Sequence, residues 1–514
     1  MGSIFDILGP VMVGPSSSHT AGAARIGYTA RQLFGESVKK AEVYLHGSFA
    51  ATGKGHGTDR AIIAGLLGMK PDDLRIPVAF EEAKKAGMEF TIANKELKNA
   101  HPNTARVIME NADGRRMVIQ AYSIGGGRIR VSNLDGIEVD FSGESNTLIV
   151  RNQDRPGCIT EVSAALSKEK INVATMQVFR HKRGGSAVMV VETDQPIPQN
   201  VVTEFKKKED ILEVISLNLE ERGLNMAYQA VEEIQNRCEK ESIPFWKAVQ
   251  LEDCEENGIT EEESWQQMTL MWTRMKEGVD AYNPSEISRS GLVGKEGGLM
   301  DEYRQNEKPL CGDFVSKVIA NALKMGCNNA CMKRIVAAPT AGACGVMPAV
   351  LVTYFREYGV EEDRMIEAMY VAAGIGQVIA NRASLAGASG GCQAESGSAS
   401  GMAAAAICSV RGGSEAQMGY ACAMALKNLM GLVCDPVAGL VEVPCVKRNV
   451  GGAVNALAAA DMALAGIISQ IPVDQVIDAM GEVGIKMDVS LRETSLGGVA
   501  VSPRGIEIAE KLGM

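Results

Sequence analysis

NTLIVRNQDRPGCITEVSAALSKEKINVATMQVFRHK, residues 146–182, changes its hydrophobic period twice in one short window. NTLIVRN reads as a strand, an apolar run closed by polar residues. Asp154-Arg155-Pro156-Gly157 stops it, since Pro lacks a backbone N–H and Gly suits a turn. The stretch to Lys170 then has the spacing of an amphipathic helix, and INVATMQVFRHK returns to a strand. Downstream, SAVMVVETD is a strand, QNVVTEFKKKE a helix and ILEVISLNL a last strand. The sum is βαββαβ over 146–220.

That order is the ferredoxin-like one, and it sets the rest of the chain apart on either side. Residues 1–144 mix strands and helices. AEVYLHGSFA alternates like a strand, TGKGHGTD reads as a glycine-rich loop leading into a helix, and Gly125-Gly126-Gly127 interrupt a strand pair. Residues 222 to about 280 are helical and highly charged, and 283–298 form a polar loop. From Cys311 onward the pattern is almost wholly helical, punctuated by polar loops at 337–345, 387–401 and 433–445 and by RETSLGGVAVSP near the end. The expected class is α+β: a mixed N-terminal domain (1–144), a ferredoxin-like domain (146–220) and an all-α domain (222–514).

A chain of 514 residues favours about three domains. With 46% apolar and 22% charged residues it is ordinary globular material. Its net charge of −11 argues against nucleic acid or an anionic membrane as the main partner. Twelve cysteines over this length are no disulfide scaffold, and their irregular placement fits a reducing cytoplasm. MGSIFDILGP lacks the basic and apolar regions of a secretory signal. The longest apolar stretch, roughly 453–473, contains Asn455 and Asp461 and reads as a buried helix rather than a membrane span.

Four of the five histidines (His19, His46, His56 and His101) fall in the first domain, each beside Gly, Ser, Pro or Asn. Such a group is a candidate acid–base site. GPSSSHTAGAARIG places Ser16, Ser17, Ser18 and Thr20 about the expected start of a helix, where hydroxyls and open N–H groups suit a carboxylate; simple N-capping is the alternative. Pro339-Thr340 ahead of a helix is a second anion-binding candidate.

Cys392, Cys434 and Cys445 lie in segments rich in Gly, Ala, Ser and Pro, which let backbone approach a bulky inorganic group. Spacing leaves two readings open: three thiolates holding an iron–sulfur cluster with one iron open to substrate, or ordinary buried cysteines. Cys344 is the main rival for a ligand role.

GPSSSHTAGAARIG, HGSFAATGKGHGTD and HPNT resemble the β domain of iron–sulfur-dependent bacterial L-serine dehydratases. AAPTAGACGVMPAVL, GCQAESGSASGMAAA, CDPVAGLVEVPC and RETSLGGVA resemble their α domain, and residues 146–220 resemble an ACT domain, a small-molecule sensor module. The chain looks like a fused β–ACT–α form. The resemblance implies a [4Fe–4S] cluster on Cys392, Cys434 and Cys445, with Cys344 outside the ligand set. It implies an L-serine ammonia-lyase of amino-acid degradation that yields pyruvate, a precursor for gluconeogenesis. His56 is the expected base, with His19 and His46 in reserve. Ser16, Ser17, Ser18 and Thr20 are expected to hold the substrate carboxylate, with Lys54, Thr58, His101 and Thr340 as further contacts. Some members carry a tail cysteine, and an ending in EKLGM is not expected to supply that ligand. An amino-acid effector at the ACT domain, a homodimer and a cytoplasmic location complete the expectation. The rivals are another substrate on the same cluster (cysteine, or a small hydroxy acid), a pyridoxal-phosphate lyase using Lys54, and a serine sensor with little turnover.

Overall fold

The computed structural model describes residues 3–143, 145–180, 182–218 and 228–513, without the side chains of Thr52 and Lys54. His181, expected to be exposed, and the site candidate Lys54 therefore lie outside the described residues and side chains. The chain divides into two compact units, Met1–Ser17 with Asn225–Met514, and Ser18–Leu224.

In the Ser18–Leu224 unit, a six-stranded sheet runs in the order Glu89–Asn94, Lys40–Leu45, Thr104–Glu110, Arg116–Gly125, Arg128–Leu134, Ile137–Phe141. Lys40–Leu45 pairs parallel on one side and antiparallel on the other. Its alternation of half-buried and buried residues reflects the two-residue period of a strand with one face on the core. The helices Gly22–Phe34 and Thr58–Leu66 cross at two glycines. A Cβ on Gly27 would stand 2.2 Å from the Ile62 carbonyl oxygen, and one on Gly65 would stand 2.2 Å from that of Ala24. The backbones meet more closely than any side chain permits. Gly65→Val should therefore cost on the order of 3 kcal/mol by overpacking. An unchanged urea midpoint would contradict this crossing.

The second sheet of this unit is antiparallel, ordered Ile211–Leu217, Asn146–Gln153, Ser186–Thr193, Val173–Arg180, with the helices Cys158–Lys168 and Gln199–Lys206 between strands. This is the expected βαββαβ unit, and Leu148, Val150, Val162, Leu166, Val191 and Phe205 form its core. Arg115, just ahead of the strand Arg116–Gly125, pairs with Glu213 of this sheet at 2.7 Å.

In the other unit, the strand Val11–Val13 pairs antiparallel with Arg334–Val336, so the start of the chain is built into the C-terminal region. The remainder is helical. Ser398–Val410 is so rich in Ala, Gly and Ser that twelve of its residues are buried, which places it inside the bundle. Among the described residues, no helix is long and apolar enough to cross a membrane.

Two expected loops are helical. Ser48–His56 winds through Gly53 and Gly55, and the chain breaks only at Gly57, whose φ of 65° is left-handed. Gly387–Gly390, Gln393–Gly397 and Ser398–Val410 turn most of the expected 387–401 loop into helix. Glycine costs about 1 kcal/mol in a helix, and burial of the surrounding small residues outweighs it.

Candidate active site and metal centre

The first cluster lies in the Ser18–Leu224 unit. Ser17–Ala21 winds as a π-helix that continues into Gly22–Phe34, so Ser18 and His19 lie within helical turns. The expected loop-then-helix start is thus corrected by one turn. His19 is held at both ring nitrogens, Nδ1 at 2.8 Å from Ser18 Oγ and Nε2 at 2.8 Å from Ser48 Oγ. His56 closes the helix Ser48–His56, its ring centroid 4.8 Å from that of His19. Thr20 Oγ1 donates to the His56 carbonyl at 2.8 Å, and Thr58 Oγ1 donates to the His19 carbonyl at 2.9 Å. The two threonines clamp the backbone beneath the two imidazoles.

Burial, then the charge of His56, holds the His19 imidazole well below the usual histidine range. The folded chain therefore keeps His19 neutral, whereas the unfolded chain protonates it near pH 6.5. Below that pH the unfolded state binds more protons, so stability falls as pH falls. At pH 5.5 this group should cost about 1.4 kcal/mol. The melting temperature should fall more steeply from pH 7 to 5.5 in the parent chain than in His19→Gln. Parallel curves would contradict the burial of a neutral imidazole.

The other site candidates of this unit have different neighbours. His46 Nδ1 accepts from the Leu97 N–H at 3.1 Å. His101 is exposed, accepts from the Asn103 N–H at 3.1 Å and stacks on Tyr122. Ser16 is buried and Ser17 half-buried in the other unit.

The second cluster lies in the helical unit. Cys392 precedes the turn Gln393–Gly397, Cys434 bridges to Arg492, and Cys445 opens the helix Cys445–Leu464. All three are buried. Ligand atoms of Cys392, Cys434 and Glu395 lie within 4.8 Å of one another. A hydrogen bond from Cys434 holds the Cys392 thiol below its ordinary range, aided by the Arg448 charge against the opposing effect of burial. The same bond pushes Cys434 up. Burial, then the charge of Cys392, raises both Cys445 and Glu395. Burial pushes Glu493 up to about 7.

A Cβ on Gly387 would stand 2.8 Å from Glu395 Oε2 and 3.1 Å from Cys434 Sγ, so only glycine lets the backbone run this close to the thiol and the carboxyl. The Thr340 hydroxyl is buried; among the described residues it has no aligned hydrogen-bond partner, yet it is near enough to Glu395 to lower that carboxyl's pKa. Cys344 is buried, is pushed up to about 12 by burial and lies 3.9 Å from the Met325 carbonyl oxygen. It is a packing thiol.

Residues 201–500 match the family described as serine dehydratase alpha chain, 3–96 the serine dehydratase beta chain and 146–210 the ACT domain. The chain belongs to the serine dehydratase family. The "L-serine dehydratase" of Streptomyces coelicolor is 30% identical over 515 residues, covering 97% of this chain and 98% of its own. In Bacillus subtilis two proteins divide the match. The "Probable L-serine dehydratase, alpha chain" is 47% identical over 49% of this chain and 84% of its own length. The "Probable L-serine dehydratase, beta chain" is 43% identical over 42% of this chain and 97% of its own length.

The donor set of this serine dehydratase chain fits a metal or cluster site. Buried thiols, one of them favoured as thiolate, are the soft ligands that select iron–sulfur or zinc. Sequence reasoning missed Glu395, Asp435, Arg448 and Glu493. Glu395 was visible in GCQAESG, three residues past Cys392. RETSLGG carried no role on its own; the fold lays it against Cys434. The Glu493 N–H donates to the Cys434 carbonyl at 2.7 Å, and Cys434 N–H to that of Leu491 at 2.8 Å. At Gly498, where φ is +62°, a Cβ would stand 2.1 Å from Asp435 Oδ2.

Proposed function

We propose that this chain is an L-serine ammonia-lyase whose Cys392, Cys434 and Cys445 hold a [4Fe–4S] cluster. The observation that carries the reading is the buried thiol set, approached by the Gly387 backbone, in a chain of this family. When bound, the cluster supplies a Lewis-acid iron that eases departure of the serine hydroxyl. The chain's own residues do the rest. His56 takes the Cα proton as general base. It closes the helix Ser48–His56 with its ring 4.8 Å from that of the buried His19, and the two imidazoles form the pair this role needs. His19 orients the imidazole pair. The hydroxyls of Ser16, Ser17 and Ser18, with Thr340, are the proposed hold on the substrate carboxylate, and burial of Thr340 excludes water from that group.

Loss of the Cα proton and the β-hydroxyl removes one water from serine and leaves 2-aminoacrylate. It tautomerises to the imine, which takes up water and releases pyruvate and ammonia. The division into 1–144, 146–220 and 222–514 then assigns the base, an amino-acid effector site and the cluster to separate parts. Anaerobic protein loaded with iron and sulfide should form pyruvate and ammonia in equal amounts from L-serine. Serine binding without either product would leave a sensor instead.

One observation favours a second reading. Donor atoms of Cys392, Cys434 and Glu395 lie within 4.8 Å of one another, a mixed set that also suits a single zinc ion. Analysis of the purified protein for iron and acid-labile sulfide against zinc separates the two.

A further inference from the structure

Arg448 touches every segment that carries a proposed ligand. It follows Cys445 by three residues on the helix Cys445–Leu464, so both lie on one side of the first turn. Its Nη1 donates to the Val433 carbonyl at 2.7 Å, next to Cys434, and to Cys392 Sγ at 3.4 Å. Its Nη2 stands 2.8 Å from Asp435 Oδ1 as an ion pair, the side chains 16% and 3% exposed. The other oxygen of Asp435 accepts from the Val499 N–H at 2.7 Å, which ties in the RETSLGG segment as well.

A buried guanidinium is costly unless its charge is met and its donors are used. Here both conditions are met by cluster-side groups: the Cys392 sulfur, the Asp435 carboxylate and a carbonyl beside Cys434. The planar fork of arginine reaches two directions at fixed geometry, which a lysine ammonium cannot do.

We infer that Arg448 is the positioning residue of the thiol set: it fixes the Cys392 and Cys434 segments against the Cys445 helix and places a permanent positive charge beside the Cys392 sulfur. The inference rests on the cluster reading of these cysteines. It assigns Arg448 no contact with substrate. Outer contacts of this kind change metal affinity by about 10- to 100-fold, and a lost positive charge disfavours the reduced, more negative form of a cluster.

The test uses the full chain, reconstituted anaerobically with iron and sulfide, in parent, Arg448→Met, Arg448→Lys and Cys434→Ser forms. Iron and sulfide bound per chain, the rate of iron release to a ferrous chelator and the cluster midpoint potential are measured, with thermal unfolding of each apoprotein. Arg448→Met should release iron about 10- to 100-fold faster and show a more negative potential, with the apoprotein still folded. Arg448→Lys should restore the potential towards the parent's and recover the release rate only in part. Parent-like release and potential in Arg448→Met would overturn the inference while leaving the cluster reading intact, provided Cys434→Ser fails to hold a stable cluster. Should Arg448→Met fail to fold, Arg448→Lys decides: release at the parent rate overturns the inference, and faster release at a near-parent potential supports it. A parent chain that binds no iron and sulfide defeats the cluster reading and the inference together.

Discussion

His56→Ala should lower kcat on L-serine by about 100- to 10,000-fold, the range for loss of a positioned general base, while iron, sulfide and visible absorbance stay at parent values. The expectation follows from how the two imidazoles are held. His19 is gripped at both ring nitrogens by Ser18 and Ser48. His56 sits tilted against it, ring centroids 4.8 Å apart, and is anchored through its carbonyl by Thr20. Removing the His56 ring leaves that anchor in place, since Thr20 bonds the backbone. Folding should survive, and the damage should fall on the chemical step. The rate of α-hydrogen exchange between L-serine and solvent should fall in parallel. Retained kcat would remove His56 from the role of base. His19→Ala, by contrast, should affect both activity and stability, because it empties a buried position between two hydroxyls.

Cys434→Ser should bring bound iron and sulfide close to zero and activity with it. Cys434, one of the three proposed ligands, is held on both sides of its backbone. Its N–H and carbonyl are bonded to the Leu491 carbonyl and the Glu493 N–H, and its thiol bonds to Cys392. Serine keeps the backbone contacts and nearly the same volume, so the apoprotein should unfold close to the parent temperature. What changes is the donor: a hydroxyl remains protonated where a thiol can ionise, and it is a poor ligand for a soft iron site. Full retention of a stable cluster would take Cys434 out of the ligand set. Cys344→Ser is the matched control. That thiol is buried against Met325, and the change should leave cluster content unaltered.

Local periodicity made the middle of the chain legible. In 146–217 each strand and helix is short, and its period is clear within its own residues, so the βαββαβ order could be read directly. The cysteines could be singled out because all three stand in segments of small residues, and the resemblance implied them as one ligand set. Two segments were misread for one physical reason. TGKGHG and GASGGCQAESGSASG look like loops because glycine is a poor helix former, yet buried helices packed at close range favour small residues. The roles of Arg448, Asp435, Glu395 and Glu493 were illegible. They depend on contacts across tens of residues, such as Val499 with Asp435, that no local pattern encodes. The pairing of Val11–Val13 with Arg334–Val336 was hidden in the same way.

The measurement closest to the central claim is a titration. Aliquots of anaerobic apoprotein are reconstituted with increasing iron and sulfide, and bound iron, visible absorbance and the rate of pyruvate formation from L-serine are recorded on each. Pyruvate formation should rise in proportion to cluster content and vanish, on every aliquot, after chelation. Pyruvate formed at full rate by iron-free protein would contradict the claim.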